Sequence, residues 1–112
     1  MANANRAPIY TDTFALCEWL FNHLDNEPGI LARTLCHNAL KLLEVIALAL
    51  KDRERNERVD EADDRLLTLR LQLRLAGATG LLDEQQLLFA LECADRIGRQ
   101  IGGWQRALDR AY

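Results

Sequence analysis

LLFALECADRIGRQIGGWQRAL, residues 87–108, carries the strongest structural signal in this chain. Its apolar residues recur at alternating intervals of three and four, the spacing that aligns side chains along one face of an α-helix. The members of this apolar seam are Leu87, Ala90, Ala94, Ile97, Ile101, Trp104 and Leu108. Asp83 and Gln86 precede the seam in the order of a capping box. The spacing therefore predicts a helix over residues 83–110.

The same periodicity predicts three more helices, over residues 9–26, 30–51 and 60–77. Pro28 and Gly29 end the first helix, and Gly77 and Gly80 end the third. The seam predicted for the first helix consists of Tyr10, Phe14, Cys17, Phe21 and Leu24. Apolar residues make up 49% of the 112 positions, and β-branched residues are scarce. We therefore predict one all-α domain over residues 1–112, an antiparallel up-down-up-down four-helix bundle with short connections.

The third helix has more apolar surface than one small bundle needs. Its leucines form two stripes, Leu66, Leu69 and Leu73 on one side and Leu67, Leu71 and Leu75 on another. Together they cover a wider arc than the roughly 100° that a surface helix buries. Since 112 residues build no larger core, the second stripe predicts self-association into a homo-oligomer.

Arg70 and Arg74 lie within this apolar arc, with Asp63 on the same side of the helix. A buried guanidinium needs an anionic partner, because leaving it unpaired costs several kcal/mol. Two interpretations remain open. The arginines form ion pairs with Asp63 or with a carboxylate of a neighbouring helix, or they are displayed to phosphates or to an acidic partner protein.

Three glycines interrupt the last helix. Glycine within a helix costs about 1 kcal/mol relative to alanine, so Gly98, Gly102 and Gly103 require compensation elsewhere. Gly98 and Gly102 are one turn apart and allow another helix to approach closely. That helix belongs either to the same bundle or to a partner, and Trp104 is predicted to lie in the core seam.

The sequence lacks the motifs of catalysis and metal binding. It contains no phosphate-binding loop or nucleophile elbow, and neither His23 nor His37 follows a glutamate by three residues, as a di-metal bundle requires. We predict no catalytic residue, no metal site and no cofactor, with a metal or redox bundle as an alternative. Cys17, Cys36 and Cys93 are expected to be buried free thiols. Because no apolar segment suits a signal peptide or a membrane span, we expect a cytoplasmic protein with no membrane partner.

The charge distribution argues against a protein that binds nucleic acid over its whole surface. The chain has 14 basic and 17 acidic side chains, a net charge of −3. Residues 1–64 carry 7 basic and 12 acidic side chains, whereas residues 65–112 carry 7 and 5. Only the second half is therefore expected to present a basic surface.

Several of these segments resemble a known family. EADDRL at residues 61–66, LR at 69–70, RLA at 74–76, IGR at 97–99 and IGGW at 101–104 resemble the accessory variability determinant (Avd) proteins. The similarity is clearest over residues 60–106 and weaker over residues 30–50. The superfamily of four-helix bundles to which Avd proteins belong also includes proteins encoded in intervening sequences of bacterial large-subunit rRNA genes.

The resemblance implies an accessory protein of a diversity-generating retroelement. Avd proteins assemble as barrel-like homopentamers and associate with the element's reverse transcriptase and with nucleic acid during mutagenic retrohoming. The family-motif positions are Asp63, Arg70, Arg74, Gly98, Arg99, Gly102, Gly103 and Trp104. The candidate contacts with reverse transcriptase, template RNA or cDNA are Arg70, Arg74, Arg96, Arg99 and Arg106, although a solvated, partly ion-paired face also accounts for the arginines of the last helix. A bundle of the rRNA intervening-sequence type, with a structural or interaction role, is the alternative.

Overall fold

The computed structural model describes residues 7–52 and 57–111, and these residues form four α-helices. They are α1 (Pro8–Leu24), α2 (Ile30–Lys51), α3 (Glu57–Ala78) and α4 (Glu84–Ala111). α2 packs against α1 and α3, and α4 packs against α3 and α1, so the helices close into a ring around one core. The longest dimension is 44 Å. The predicted all-helical class and the four-helix bundle are confirmed.

The core runs along the whole bundle and takes side chains from every helix. In α4 the predicted seam supplies Ala90, Ala94, Ile97 and Ile101, all buried, with Trp104 half-buried against the same core. The largest fully buried side chains are Leu16, Leu20, Leu35, Leu42, Ile46, Val59, Leu66, Leu69, Leu73, Leu82, Ile97 and Ile101. A continuous apolar interior of this kind is the main source of stability for a domain of this size.

Two helix ends near the α3–α4 connection show how the sequence specifies the turn. The Asp83 amide donates to Gln86 Oε1 at 2.9 Å, and the Gln86 amide donates to Asp83 Oδ1 at 2.8 Å, which completes the capping box that begins α4. Gly80 has a φ of +82°, a conformation that glycine adopts without steric cost. Gly77, by contrast, lies inside α3, and a Cβ there would collide with the side chain of Leu87.

The helix bounds differ from the predicted ranges by up to three residues. The predicted 30–51 coincides with α2, whereas α1 ends at Leu24 rather than 26 because the chain tightens before Pro28, with Glu27 donating to the Leu24 carbonyl at 3.0 Å. Within the described residues α3 begins at Glu57 instead of 60 and continues through Gly77 to Ala78. α4 begins one residue after its capping residue and ends at Ala111.

The predicted seam of α1 is only partly confirmed, since Cys17 and Leu24 are buried in the core whereas Tyr10, Phe14 and Phe21 are not. Ile9, Leu16 and Leu20 face the core, whereas Phe14 is 47% exposed and Phe21 is half-buried. With the buried Thr13 included, the core-facing set also has spacings of three and four, so periodicity alone does not distinguish the two sets. The choice is made by tertiary packing, because α1 is held between α2 and α4 and buries the stripe that faces both.

None of the described helices is both long enough and apolar enough to cross a membrane.

Candidate interaction surface

A groove between α3 and α4 gathers four of the predicted motif residues. It has a volume of about 410 Å³, and the motif residues that line it are Asp63, Arg70, Gly98 and Arg99. The other lining residues are Asp64, Leu66, Leu67 and Asp95. We call this groove the Arg70 groove. Residues that are distant in sequence thus lie next to one another on the bundle surface.

Arg70 is bound to α4 by its guanidinium group. Its Nη2 donates to the carbonyl oxygen of Ala94 at 3.2 Å and lies 3.3 Å from Asp95 Oδ1. The side chain is 31% exposed, and its Nε is buried without a hydrogen-bond partner. The described ion pair of Arg70 is therefore with a neighbouring helix, one of the two partners considered for it, and not with Asp63.

Gly98 accounts for the position of Arg70. A Cβ at Gly98 would collide with Arg70 Nη2 and would lie 3.3 Å from Cδ2 of Leu66, a buried side chain. Without a side chain at this point, the guanidinium lies against the α4 backbone and reaches the Ala94 carbonyl. The close approach permitted by Gly98 is thus used inside the bundle, by α3.

The Arg70 groove has mixed charge. Three carboxylates, those of Asp63, Asp64 and Asp95, share it with the guanidinium groups of Arg70 and Arg99. Carboxylates repel a phosphate backbone, whereas nucleic-acid sites concentrate basic side chains. This arrangement suits a protein surface that carries both signs of charge better than it suits a nucleic acid.

A second groove continues along the same two helices toward the end of α4. It has a volume of about 600 Å³ and is lined by Glu57, Asp60, Gly102, Gln105, Arg106, Leu108 and Asp109. Gln105 Nε2 donates to Asp60 Oδ1 at 3.0 Å across the α3–α4 interface. Around the Cβ positions of Gly102 and Gly103, the nearest atoms are the guanidinium nitrogens of Arg106, at 3.4 and 3.9 Å. Within the described residues, no other helix uses the space that these two glycines leave.

The other arginines proposed as partner contacts do not line the Arg70 groove. Arg74 is exposed on α3, one turn beyond Arg70, and makes no ion pair with another described residue. Arg96 is exposed, and its Nη2 donates to Cys93 Sγ at 3.6 Å. Gln100, one turn later, donates to Asp12 Oδ2 on α1 at 2.7 Å, so this side of α4 faces α1. The five arginines therefore do not form one basic patch.

The second leucine stripe of α3 is uncovered. Leu66, Leu69 and Leu73 are buried in the core, as one of the two predicted stripes. The second stripe is 59%, 60% and 53% exposed at Leu67, Leu71 and Leu75 respectively. We refer to these three residues as the leucine stripe. Three large aliphatic side chains in line on one helix face form the kind of apolar patch that marks an interaction site.

An aromatic surface on α1 and α4 was missed by sequence reasoning. Phe89 is 46% exposed on α4, and on α1 the Trp19 ring stacks on His23 with centroids 4.2 Å apart. Trp19 also contacts Phe89, at 5.1 Å between centroids. Phe14, which was predicted to lie in the core seam of α1, contacts Tyr10 and not these rings, at 6.1 Å between centroids.

The three cysteines are buried, free thiols. Burial raises the pKa of Cys17 to about 12, with a further contribution from the neighbouring Cys36. The pKa values of Cys36 and Cys93 are raised by burial as well. The Cys17 thiol donates to the Ala39 carbonyl at 2.9 Å. Such thiols are poor nucleophiles because the reactive thiolate is scarcely populated.

The neighbouring His37 is exposed while Cys36 is buried, so the two side chains do not converge. Across residues 7–52 and 57–111, no group of three or more histidine, cysteine, aspartate or glutamate side chains has an arrangement that suits a metal ion.

Comparisons of the chain with protein-family models, with curated proteins and with solved structures gave no match.

Proposed function

We propose that this chain is a non-catalytic accessory protein of a diversity-generating retroelement, and that it binds the element's reverse transcriptase during mutagenic retrohoming. The proposal begins from the resemblance to Avd proteins. The observation that carries it further is the convergence of Asp63, Arg70, Gly98 and Arg99 on the Arg70 groove, since these positions come from separate segments of the family motif. A binding role needs such a shared surface, whereas unrelated surface positions would be scattered.

Self-association is part of the same proposal. The exposed leucine stripe supports a homo-oligomer, because a stable protomer surface rarely leaves three leucines in line uncovered. The resemblance implies five copies in a barrel. As a bundle in the cytoplasm, the oligomer would offer several copies of the Arg70 groove to one enzyme, which raises the overall affinity of a weak single contact.

The proposed topology is the antiparallel up-down-up-down arrangement. Supporting it, Leu66 lies against Gly98, Arg70 against Ala94 and Gly77 against Leu87, so positions advance along α3 while they recede along α4. Two hydrogen bonds run in the same sense between α1 and α2, from Cys17 to Ala39 and from Cys36 to Leu20.

Template RNA or cDNA is a second proposed partner. Arg96, Arg99 and Arg106 are exposed and form no ion pair with another described residue. Acidic side chains accompany two of them, Asp63 and Asp64 near Arg99 and others near Arg106. We therefore propose the reverse transcriptase as the principal partner and expect nucleic-acid binding to be weak and strongly dependent on salt.

The experiment is co-purification with the reverse transcriptase encoded by the same element. Arg99→Glu is the informative substitution, since Arg99 is exposed and makes no described contact that holds the fold. Arg33→Glu, on exposed α2 surface, is the matched control. We expect the wild type and Arg33→Glu to retain the enzyme and Arg99→Glu to lose it. Failure of the wild-type protein to retain the enzyme contradicts the proposal.

The alternative proposal is a bundle of the rRNA intervening-sequence type. This alternative requires no nucleic-acid partner, and the mixed charge of the Arg70 groove favours it for that reason. A gene located inside an rRNA operon, with no reverse-transcriptase gene and no template repeat beside it, is the observation that selects this alternative.

A further inference from the structure

The bundle carries two unlike apolar patches on different helices. One, which we call the leucine patch, consists of Leu71 and Leu75 on α3, 60% and 53% exposed. The other is the aromatic surface of α1 and α4, where Trp19 contacts Phe89, itself 46% exposed. Within the described residues α1 and α3 do not contact one another, so they lie diagonally across the ring of helices. One copy therefore presents two different patches in two different directions.

The two patches are at the same height along the bundle. Gly77 lies against Leu87, so two positions back along α3 and two positions on along α4, Leu75 is level with Phe89. The contact of Arg70 with Ala94 has the same offset. Patches at equal height let neighbouring copies meet without a shift along the bundle axis. A head-to-tail contact without such a shift closes into a ring instead of continuing as a helical filament.

Opposite charges accompany the two patches. Arg74 adjoins the leucine patch, and Glu92 follows Phe89 by one turn of α4. Both side chains are exposed, and neither makes an ion pair within the described chain. By the same offset between the helices, Arg74 is two positions, roughly 3 Å along the axis, from the level of Glu92. An arginine side chain spans that distance, so the patches are complementary in charge as well as in height.

We propose that the leucine patch of one copy packs against the aromatic surface of the next copy, and that repetition of this contact closes a ring. Arg74 of the first copy then pairs with Glu92 of the second. Each copy uses both patches once, so a closed ring, one of five copies included, leaves neither patch uncovered. The inference rests on the self-association in the proposed function and names the two surfaces that meet.

This contact leaves the Arg70 groove open. Among the exposed leucines of α3, only Leu67 lines that groove. Leu71 and Leu75 lie one and two turns further along α3, beyond Arg70. Ring formation and binding of the reverse transcriptase thus use different parts of α3, and Leu67 stays available to the enzyme.

Mixing two blocked variants tests the head-to-tail contact. Leu71→Glu blocks the leucine patch and Phe89→Glu blocks the aromatic surface, so each variant alone is expected at 12.8 kDa in sedimentation velocity. Each retains the patch that fits the intact patch of the other. An equimolar mixture is therefore expected to form a complex of one copy of each, at twice 12.8 kDa and no larger. High protein concentration is needed, because a single open contact lacks the stabilisation that ring closure provides.

Leu48→Glu, at a leucine as exposed as Phe89 but on α2, is the matched control and is expected to assemble like the wild type. Circular dichroism verifies that all three variants keep their helicity. If the wild type assembles but the mixture stays at 12.8 kDa, or if Phe89→Glu alone assembles like the wild type, the head-to-tail contact is wrong while self-association stands. If the wild type is monomeric at every concentration, self-association itself fails, and this inference fails with it.

A charge exchange tests the pairing of Arg74 with Glu92. Arg74→Glu and Glu92→Arg each place like charges across the contact, so each is expected to weaken assembly about fivefold at low salt in sedimentation equilibrium. The double variant restores the attraction and is expected within about twofold of the wild type. A double variant that assembles no more strongly than either single variant overturns the pairing.

Discussion

Replacing Gly98 by alanine should reveal whether the contact between Arg70 and α4 stabilises the fold. Alanine is normally the better residue within a helix, by about 1 kcal/mol. At this position, however, the new Cβ meets Arg70 Nη2 and lies 3.3 Å from the Leu66 side chain. The guanidinium lies at the end of a flexible side chain and can shift, and we expect it to give up its contacts with Ala94 and Asp95 when it does.

The expected loss follows from those two contacts. A hydrogen bond from a charged donor contributes roughly 1.5–3 kcal/mol, and an ion pair with a carboxylate as exposed as that of Asp95 contributes at most about 1 kcal/mol. Subtracting the helix-propensity gain leaves Gly98→Ala about 0.5–3 kcal/mol less stable than the wild type. In an Arg70→Ala background the closest obstruction is gone and only the Leu66 side chain, 3.3 Å away, must adjust, so the same substitution should raise the free energy of unfolding by about 0.5–1 kcal/mol.

Urea unfolding followed by circular dichroism measures all four members of this double-mutant cycle at one protein concentration. Gly102→Ala is the matched control, because its Cβ would lie 3.4 Å from the nearest atom, an ordinary contact, and it is expected to stabilise by about 1 kcal/mol. The reasoning is refuted if Gly98→Ala stabilises the wild type as much as Gly102→Ala does. It is refuted equally if the effect of Gly98→Ala has the same sign with and without Arg70.

Further predictions concern the buried thiols and the helix cap. Iodoacetamide at pH 8 is expected to leave Cys17, Cys36 and Cys93 unmodified in the native protein and to modify all three in urea. Mass spectrometry measures the modification, and rapid modification of Cys17 in the native protein contradicts its burial. The pKa of Cys17 is raised from 9.0 to about 12, so the unfolded chain loses this proton before the folded chain does. The free energy of unfolding is therefore independent of the Cys17 thiol below about pH 9 and falls as the pH rises from about 9 to about 12. A Cys17→Ala variant should show a smaller fall over that interval. Asp83→Ala removes the side chain that caps α4 and is expected to cost about 1 kcal/mol in urea unfolding, whereas an unchanged midpoint would show that the capping box contributes nothing.

The helical fold was largely predictable because its determinants are local. Apolar spacing located α2 and α4, and the Asp83 and Gln86 pair located the beginning of α4, since capping acts within one turn. The exposed leucine stripe was predictable for a related reason, because two apolar stripes on one short helix exceed the area that a small bundle covers. Phe14 was not predictable in this way, since two stripes of equal periodicity compete on α1 and only its contacts with neighbouring helices select one.

The details of the Arg70 groove lay beyond the sequence for a different reason. Helical spacing puts Asp63 and Arg70 on one side of α3, but it does not fix the rotation of α4 that brings Asp95 to the guanidinium. The role of Gly98 depends on the same rotation, because the missing side chain matters only when α3 places a group such as Arg70 opposite it. Arg74, with the same residue type one turn away, projects into solvent instead.

The most direct test of the account is the mass of the protein in solution, measured by light scattering during gel filtration across micromolar concentrations. The wild type is expected at twice 12.8 kDa or more, and Leu71→Glu, which places a charge on the leucine stripe, is expected at 12.8 kDa with unchanged helicity. Leu48→Glu on α2 should retain the wild-type mass. A wild-type protein that remains at 12.8 kDa throughout contradicts the central claim that α3 carries an interface between copies of this chain.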